Sequence, residues 1–292
     1  MKYITDLIIK MSSVDRRWIF LVIALAVILP LFFPMGLPIR ATPTTQQVYD
    51  TIDALPHGSK VLVSCEYGPS TKPEIHPMVL SILRHLFKNK HKVYVTCLWP
   101  DGQFLASDAL NLVGRDEYGL TYGEDYVLLG FRPGNEAVVK GIVSNIRKVY
   151  TIDAKGTKVT EIPMMEGVNR FEDFDFLFSA SAGYPGTIEW VQYAVDPTNV
   201  PMSTGTTSIQ VNEVMPYVAS GQVQGILAGM PGAAEYEELV KTELKSRGLV
   251  IKPGEATSMM SAQSMAHVVI VIFIILGNIT YYLTRNNKRK GS

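Results

Sequence analysis

The sequence is poor in the residues and motifs that most often carry chemistry. It has two cysteines and five histidines among 292 residues, with no CxxC motif and no histidine pair at metal-ligand spacing. It also lacks a GxGxxG after its first predicted strand, a GxxxxGK(S/T) loop and a GxSxG elbow. These absences argue against a metal, a dinucleotide, an NTP and a hydrolase nucleophile. We therefore predict no cofactor, no metal site and no catalytic residue.

Charge is absent from two long apolar stretches that bracket the chain, residues 18–39 and 263–284. Each has the roughly 20 residues that a helix needs to cross a bilayer. The first is longer than the apolar region of a cleaved signal peptide, so we interpret it as a signal anchor. The sequence thus predicts a tail 1–17, a transmembrane helix 18–39, a domain 40–262, a second transmembrane helix 263–284 and a basic tail 285–292.

Positive charge is concentrated in the two tails, each of which carries four Lys or Arg residues. The positive-inside rule then places both termini in the cytoplasm, which makes the chain a two-pass protein of the cell (inner) membrane with an extracytoplasmic domain. Outside the tails, 19 basic and 25 acidic residues remain, a net charge near −6. This acidic balance argues against nucleic acid as a partner of the domain.

Between the two stretches, short apolar runs alternate with helical patterns. The runs are mostly continuous instead of alternating with polar residues, as is typical of strands covered on both faces. We therefore predict an α/β fold, a doubly wound, mostly parallel sheet of Rossmann-like type flanked by two transmembrane helices. The predicted strands are 60–66, 92–98, 125–130, 174–179, 200–205 and 222–229, and the predicted helices are 46–55, 77–89, 103–113, 136–147, 187–196, 211–219 and 233–246.

The loops that follow the predicted strands are rich in Gly, Pro, Ser and Thr. In open α/β sheets, ligands bind outside the carboxyl ends of the strands, so these loops could line a small-molecule crevice with Arg132 as an anion clamp. The alternative is that each loop only turns the chain and caps the next helix. The candidate ligand-binding residues are Ser70, Thr71, Arg132, Ser181, Gly183, Thr204, Thr206 and Thr207.

Several aromatic residues fall in the same loops, and aromatic clusters suit either a ligand pocket or a protein interface. The second apolar stretch also holds a glycine and an asparagine, which favour close packing and polar contacts between helices. We therefore expect contacts with other membrane subunits or with further copies of the chain. The candidate interaction residues are Tyr67, Trp99, Phe131, Tyr184, Gly277 and Asn278.

Four segments carry a resemblance to known proteins: YGPSTKPEIHPM, LWPDG, GMPGAAEYEELV and AQSMAHVVIVIFIILGN. With them the chain resembles uncharacterised prokaryotic membrane proteins that have a Rossmann-like domain between an N-terminal and a C-terminal transmembrane anchor. The resemblance covers most of the chain and implies this architecture. It implies no activity.

Three functions follow from these observations. The leading hypothesis is a non-catalytic subunit or scaffold of a membrane complex that docks through its α/β domain. The alternative is a small-molecule-binding sensor or transport accessory. The third is an enzyme for a small anionic substrate that would use Glu66, Asp101 and Arg132. Cys65 and Cys97 end two strand-like runs, and we interpret them as buried thiols, with a disulfide as the alternative.

Overall fold

The computed structural model describes residues 15–33, 39–246 and 254–290. It divides into two compact units. Residues 39–256 form an α/β domain, and an N-terminal and a C-terminal helix belong to the other unit. Residues 257–262, which the sequence assigned to the domain, lie in the C-terminal helix.

The α/β domain contains a single sheet of six parallel strands in the order β3-β2-β1-β4-β5-β6. The predicted α/β fold with a parallel sheet is therefore confirmed. The order reverses between β1 and β4, which are neighbours in the sheet. The strands are β1 (Lys60–Glu66), β2 (Lys92–Cys97), β3 (Tyr126–Phe131), β4 (Phe176–Ser181), β5 (Met202–Thr206) and β6 (Ile226–Ala228).

Helices cover both faces of this sheet. One face carries α2, α3, α4 and α8, and the other carries α5 and α6 with a hydrophobic core that includes Leu62, Tyr94 and Trp190. Helices α4 and α6 each continue as a π-helical stretch, Leu110–Glu117 and Val191–Val195, and the second ends in a turn at Asp196–Thr198. The helices of the domain are α2 (Pro43–Asp53), α3 (Lys72–Lys88), α4 (Pro100–Ala109), α5 (Glu136–Val149), α6 (Thr187–Trp190), α7 (Val211–Ala219) and α8 (Gly229–Ser246).

Several element boundaries differ from the sequence prediction; β6, predicted at 222–229, covers only residues 226–228, and α8, predicted to begin at residue 233, begins at Gly229. Two further differences have local reasons. Helix α3 begins at Lys72 instead of residue 77, because Pro73 occupies the first turn and Pro77 lies inside the helix. Strand β4 begins at Phe176 instead of residue 174. The carboxylate of Asp175 accepts the backbone N–H of Lys60 at 2.7 Å, so this N–H bonds to a side chain instead of to a carbonyl of β4, and the register of the two strands begins at Val61 and Phe176.

The second unit contains α1 (Arg16–Phe32) and α9 (Glu255–Lys290). In the described part of the chain, one helix is long and apolar enough to cross a membrane, the segment Glu255–Leu283 of α9. This criterion rests on length and composition alone. The second predicted anchor is thus supported. The first, 18–39, is described only as the 17-residue helix α1, and its residues 34–38 lie outside the described residues, so it stays a prediction.

Polar side chains within α9 bond to the helix itself. The amide of Asn278 donates to the carbonyl of Ile274 at 2.9 Å, and the hydroxyl of Thr280 donates to the carbonyl of Leu276 at 2.7 Å. Such local bonds satisfy donors in surroundings that offer no water.

Candidate functional site

The reversal of strand order between β1 and β4 marks the place where open α/β sheets bind ligands, outside the carboxyl ends of these strands. Glu66 is the last residue of β1 and pairs in register with Ser181, the last residue of β4. Both side chains are buried. The candidate site is therefore built from the strand ends themselves as well as from the loops that follow them.

A row of four hydroxyl side chains crosses the sheet just before this edge. Ser64 of β1 is in register with Thr96 of β2 and with Ser179 of β4, and Ser179 is in register with Thr204 of β5. Residues in register share a face, so the four hydroxyls line one face of four adjacent strands. Each residue is fully buried. A buried polar row of this kind requires hydrogen-bond partners.

Glu66 lies one pleat beyond Ser64 on the same face and anchors the row. The hydroxyl of Ser64 donates to one carboxyl oxygen of Glu66, and the hydroxyl of Ser179 lies 3.4 Å from the other. The indole N–H of Trp190 donates to Ser64 Oγ at 2.9 Å. Complete burial raises the pKa of Glu66 to about 8, against the lowering effect of these hydrogen bonds. The carboxyl group is therefore mostly protonated at neutral pH.

Thr187, the first residue of α6, extends the network toward β5. Its hydroxyl lies 3.2 Å from Ser179 Oγ and 2.6 Å from Thr204 Oγ1, and Thr204 donates to the carbonyl of Ser179 at 2.9 Å. At the other end of the row, the hydroxyls of Thr96 and Tyr150 are hydrogen-bonded. All four hydroxyls of the row thus have partners, which makes the network a rigid part of the core.

The space above Glu66 is closed by the chain itself. Trp99 follows β2, and its indole N–H donates to the carbonyl of Pro185, in the loop after β4, at 3.1 Å. A Cβ placed on Gly183 would lie 3.1 Å from the Trp99 ring, so the indole packs closely on that loop. Since β1 lies between β2 and β4, this contact spans the carboxyl end of β1. The indole of Trp99 therefore bridges the loops on either side of β1.

The predicted ligand-binding residues fall into three environments. Ser70 is exposed, and Thr71 lies in the same loop, where its hydroxyl and the backbone of Gly68 are 3.3 Å apart. Ser181 bonds within its own turn, to the carbonyl of Gly183 at 3.1 Å. The remaining threonines, Thr204, Thr206 and Thr207, are buried. Among the described residues, the buried hydroxyl of Thr206 has no hydrogen-bond partner.

Arg132 has a structural environment that the sequence did not suggest. Its guanidinium donates to the carbonyls of Phe131, Val149 and Ile152, and it lies 4.9 Å from the ring centroid of Tyr150. These bonds tie the end of β3 to the segment after α5. Asp101, the second proposed catalytic partner of Glu66, is exposed on the first turn of α4. The structure therefore gives Glu66 and Arg132 separate partners and leaves Asp101 on the surface.

The predicted interaction residues of the domain also differ in exposure. Tyr67 is fully buried, and its hydroxyl is 2.8 Å from Nδ1 of His76, so it presents no surface. Trp99 and Phe131 are partly exposed, whereas Tyr184 is 61% exposed. In α9, Gly277 and Asn278 are exposed, and a Cβ on Gly277 would meet no atom within 4 Å.

Sequence reasoning missed the buried network of Ser64, Ser179, Thr187 and Trp190. A signal was present: the runs VLVSCE, KVYVTC, FLFSAS and MSTGT each carry a hydroxyl residue in their last three positions. Cys65 and Cys97 were interpreted correctly as buried thiols, because both are free and buried. Burial raises the pKa of both thiols well above its ordinary value, which makes them poor nucleophiles.

No protein-family model matches the chain, and no curated protein matches its sequence.

Proposed function

We propose that the protein is a non-catalytic, membrane-anchored subunit or scaffold of a membrane protein complex, and that its α/β domain docks onto protein partners through the carboxyl edge of the sheet. The observation that carries this proposal is the contrast at that edge. There Trp99 bonds across the carboxyl end of β1, where Glu66 is buried, while large apolar side chains stand exposed on the elements around it.

Three exposed side chains define the proposed docking edge: Phe104 of α4, Tyr184 after β4 and Ile209 after β5, which are 70%, 61% and 86% exposed. Aromatic and large aliphatic residues at this exposure are typical of the centres of protein interfaces. Each follows the carboxyl end of a different strand, so a partner that covers this edge would touch all three elements. The docking edge is thus a property of the fold and not of one loop.

The substitution Ile209→Glu should dissociate the complex. A charge in a buried interface is strongly unfavourable without a partner, so the particle extracted in mild detergent should shrink toward the mass of a single chain. Native mass measurement of wild-type and variant particles checks this result. The matched control is Leu112→Glu. Leu112 is 40% exposed, and it lies about 18 Å along the helix from Pro100, the first residue of α4, and so away from the docking edge. A wild-type monomer, or equal dissociation by both variants, would contradict docking at this edge.

We further propose that α1 and α9 both cross the membrane, with both termini in the cytoplasm and the domain outside. The apolar segment of α9 and the basic residues beyond it support this arrangement. An impermeant maleimide added to intact cells should label Ser220→Cys, which is exposed on the domain, and should label Ser292→Cys only after permeabilisation. The wild-type chain supplies the background, because Cys65 and Cys97 are buried. The reverse labelling pattern would establish the inverted topology.

A small-molecule-binding sensor or transport accessory is the second candidate function. A cavity of about 160 Å³ lies between the β4–α6 loop and the start of α7, and it is lined by Gly183, Tyr184 and Gln210 among others. The buried Oε1 of Gln210 has no hydrogen-bond partner among the described residues, so a ligand with a donor group would satisfy it. A metabolite that raises the melting temperature of the wild-type chain but not of Gln210→Leu would favour this function.

A further inference from the structure

A second cavity, of about 190 Å³, lies at the edge of the sheet beside β3, away from the junction of β1 and β4. It is lined by α4, by the π-helical stretch that follows it, by Tyr122, by β3 and by residues 154 and 155. An apolar cavity of roughly 150 Å³ is large enough to hold benzene. This cavity therefore has room for one ring with a small substituent. Part of its wall is apolar and comes from Phe104, Leu110, Tyr122, Tyr126, Leu128 and Ala154.

The polar part of the wall is a stripe along one helix. Gln103, Ser107 and Asn111 line the cavity at intervals of four residues, which places them on one side of α4 and its continuation. Gln103 Oε1 accepts the backbone N–H of Phe131 at 2.8 Å, so its amide N–H groups are the part left for a ligand. The π-helical stretch begins at Leu110, and π-helical turns are frequent at functional sites.

A single charged residue lines the cavity, Lys155, and none of the ten lining residues is acidic. The Lys155 ammonium lies over the ring of Tyr122, 3.4 Å from its centroid. Among the described residues, no carboxylate forms an ion pair with Lys155. The nearby Asp153 is buried and already accepts the Tyr122 hydroxyl at 2.6 Å and two backbone N–H groups. The cavity thus offers a cation and neutral donors to an incoming group.

We propose that this cavity is a binding site for a small aromatic carboxylate. The ring lies against Phe104, Leu110 and Tyr126. The carboxylate accepts hydrogen bonds from the Lys155 ammonium and from the amide and hydroxyl stripe, in charge-assisted bonds. An amine of the same size would meet Lys155 as a like charge. The site shares Phe104 with the docking edge, but its polar groups, Lys155 and the helical stripe, lie outside that edge as defined above.

The test measures binding of benzoate to the full chain in mild detergent by calorimetry, with empty micelles as the blank. Benzoate should bind, and the neutral isostere benzamide should bind about tenfold more weakly because it lacks the charge that pairs with Lys155. Benzylamine should show no binding. Failure of benzoate, phenylacetate and 4-hydroxybenzoate to bind at concentrations up to about 10 mM would overturn the proposal.

Two variants locate the site. Lys155→Met removes the charge, keeps an unbranched side chain one atom shorter, and should reduce benzoate affinity about tenfold while leaving that of benzamide unchanged. Ser107→Leu fills the cavity and should abolish binding of both, with the melting temperature measured to confirm folding. The matched control is Lys140→Met, since Lys140 also lies over a tyrosine ring, 4.1 Å from the centroid of Tyr193, but lines no part of this cavity. Equal benzoate affinity in wild type and Lys155→Met, or unchanged binding by Ser107→Leu, would overturn the assignment.

Discussion

The substitution Glu66→Gln should stabilise the domain above neutral pH by several kcal/mol and leave its stability near pH 4.5 almost unchanged. Glu66 has a pKa of about 8 in the folded chain, against an ordinary value of 4.5, because it is completely buried. Below 4.5 the carboxyl is protonated in both the folded and the unfolded chain. As the pH rises from 4.5 to 8, only the unfolded chain gains by ionising, and each pH unit lowers the free energy of unfolding by about 1.4 kcal/mol.

The sign follows from this difference. The contribution of protonated Glu66 to the free energy of unfolding is fully present below 4.5, its pKa in the unfolded chain. It is lost as the pH approaches about 8, its pKa in the folded chain. The loss across the whole window is on the order of 5 kcal/mol, beyond which both states are ionised. Glutamine has nearly the same shape and cannot ionise, so it removes this contribution. Its amide can keep hydrogen bonds to Ser64 and Ser179.

Thermal unfolding of wild type and Glu66→Gln at pH 5, 6.5 and 8 would measure the effect. The difference in melting temperature between the two chains should widen steadily across this series. Glu172→Gln is the matched control, because Glu172 is exposed and forms a surface ion pair with Arg170 at 3.2 Å. If the melting temperatures of Glu66→Gln and wild type changed equally with pH, Glu66 would be ionised in the folded chain and the hydrogen-bond network would carry a negative charge.

The fold was largely predictable because its signals are local. The apolar run at 60–66 is a strand whose boundaries match β1, and the continuous apolar pattern correctly indicated a sheet covered on both faces. The site was less predictable because it depends on register. Ser64, Thr96 and Ser179 form one row only because β1 lies between β2 and β4 with these residues opposite one another. The sequence shows three separate hydroxyl residues and cannot show their alignment.

Two loop residues that the sequence suggested as site residues also have contacts that depend on the tertiary fold. Tyr67 stands in a loop-like context, yet it turns inward because His76, nine residues later on α3, accepts or donates a hydrogen bond at 2.8 Å. Arg132 looked like a cation free to hold an anion. Its guanidinium instead bonds to the carbonyls of residues 149 and 152, 17 and 20 residues away. Neither contact can be inferred from local pattern, because each joins elements that only the tertiary fold brings together.

The hydroxyl row and the Trp99 contact both fix the carboxyl end of β1. A buried polar network is stable only when its members are satisfied, and here Glu66, Ser179 and Thr187 satisfy one another. A ligand that entered above Glu66 would have to displace Trp99 and break its bond to Pro185. This arrangement favours a rigid edge that presents a fixed outer surface, which is what the proposed docking function requires.

The substitution Gly102→Ala should destabilise the domain by about 3 kcal/mol, the upper end of the usual range for overpacking. Gly102 lies in the first turn of α4, where a Cβ would overlap the carbonyl oxygen of Cys65 and lie 3.3 Å from its carbonyl carbon. These are backbone atoms of β1, in the middle of the sheet, so they cannot move as a flexible side chain can. Intrinsic helix propensity alone would favour alanine by about 1 kcal/mol, so the sign of the effect separates the two explanations.

A fall in melting temperature of roughly 6–12 °C is expected for a domain of this size. Gly141→Ala is the matched control. Gly141 is also helical, but the nearest atom to its added Cβ is Cγ2 of Val149 at 2.7 Å, the end of a side chain. The free energy of unfolding of this variant should therefore lie within about 1 kcal/mol of the wild-type value. The close approach of α4 to the sheet at Gly102 also buries Cys97, because a Cβ added at Gly102 would lie 3.6 Å from the Cβ of Cys97. Gly102→Ala should therefore also expose the buried thiols to labelling under native conditions. Unchanged melting and unchanged thiol protection would show that α4 can move away from β1 without loss of stability.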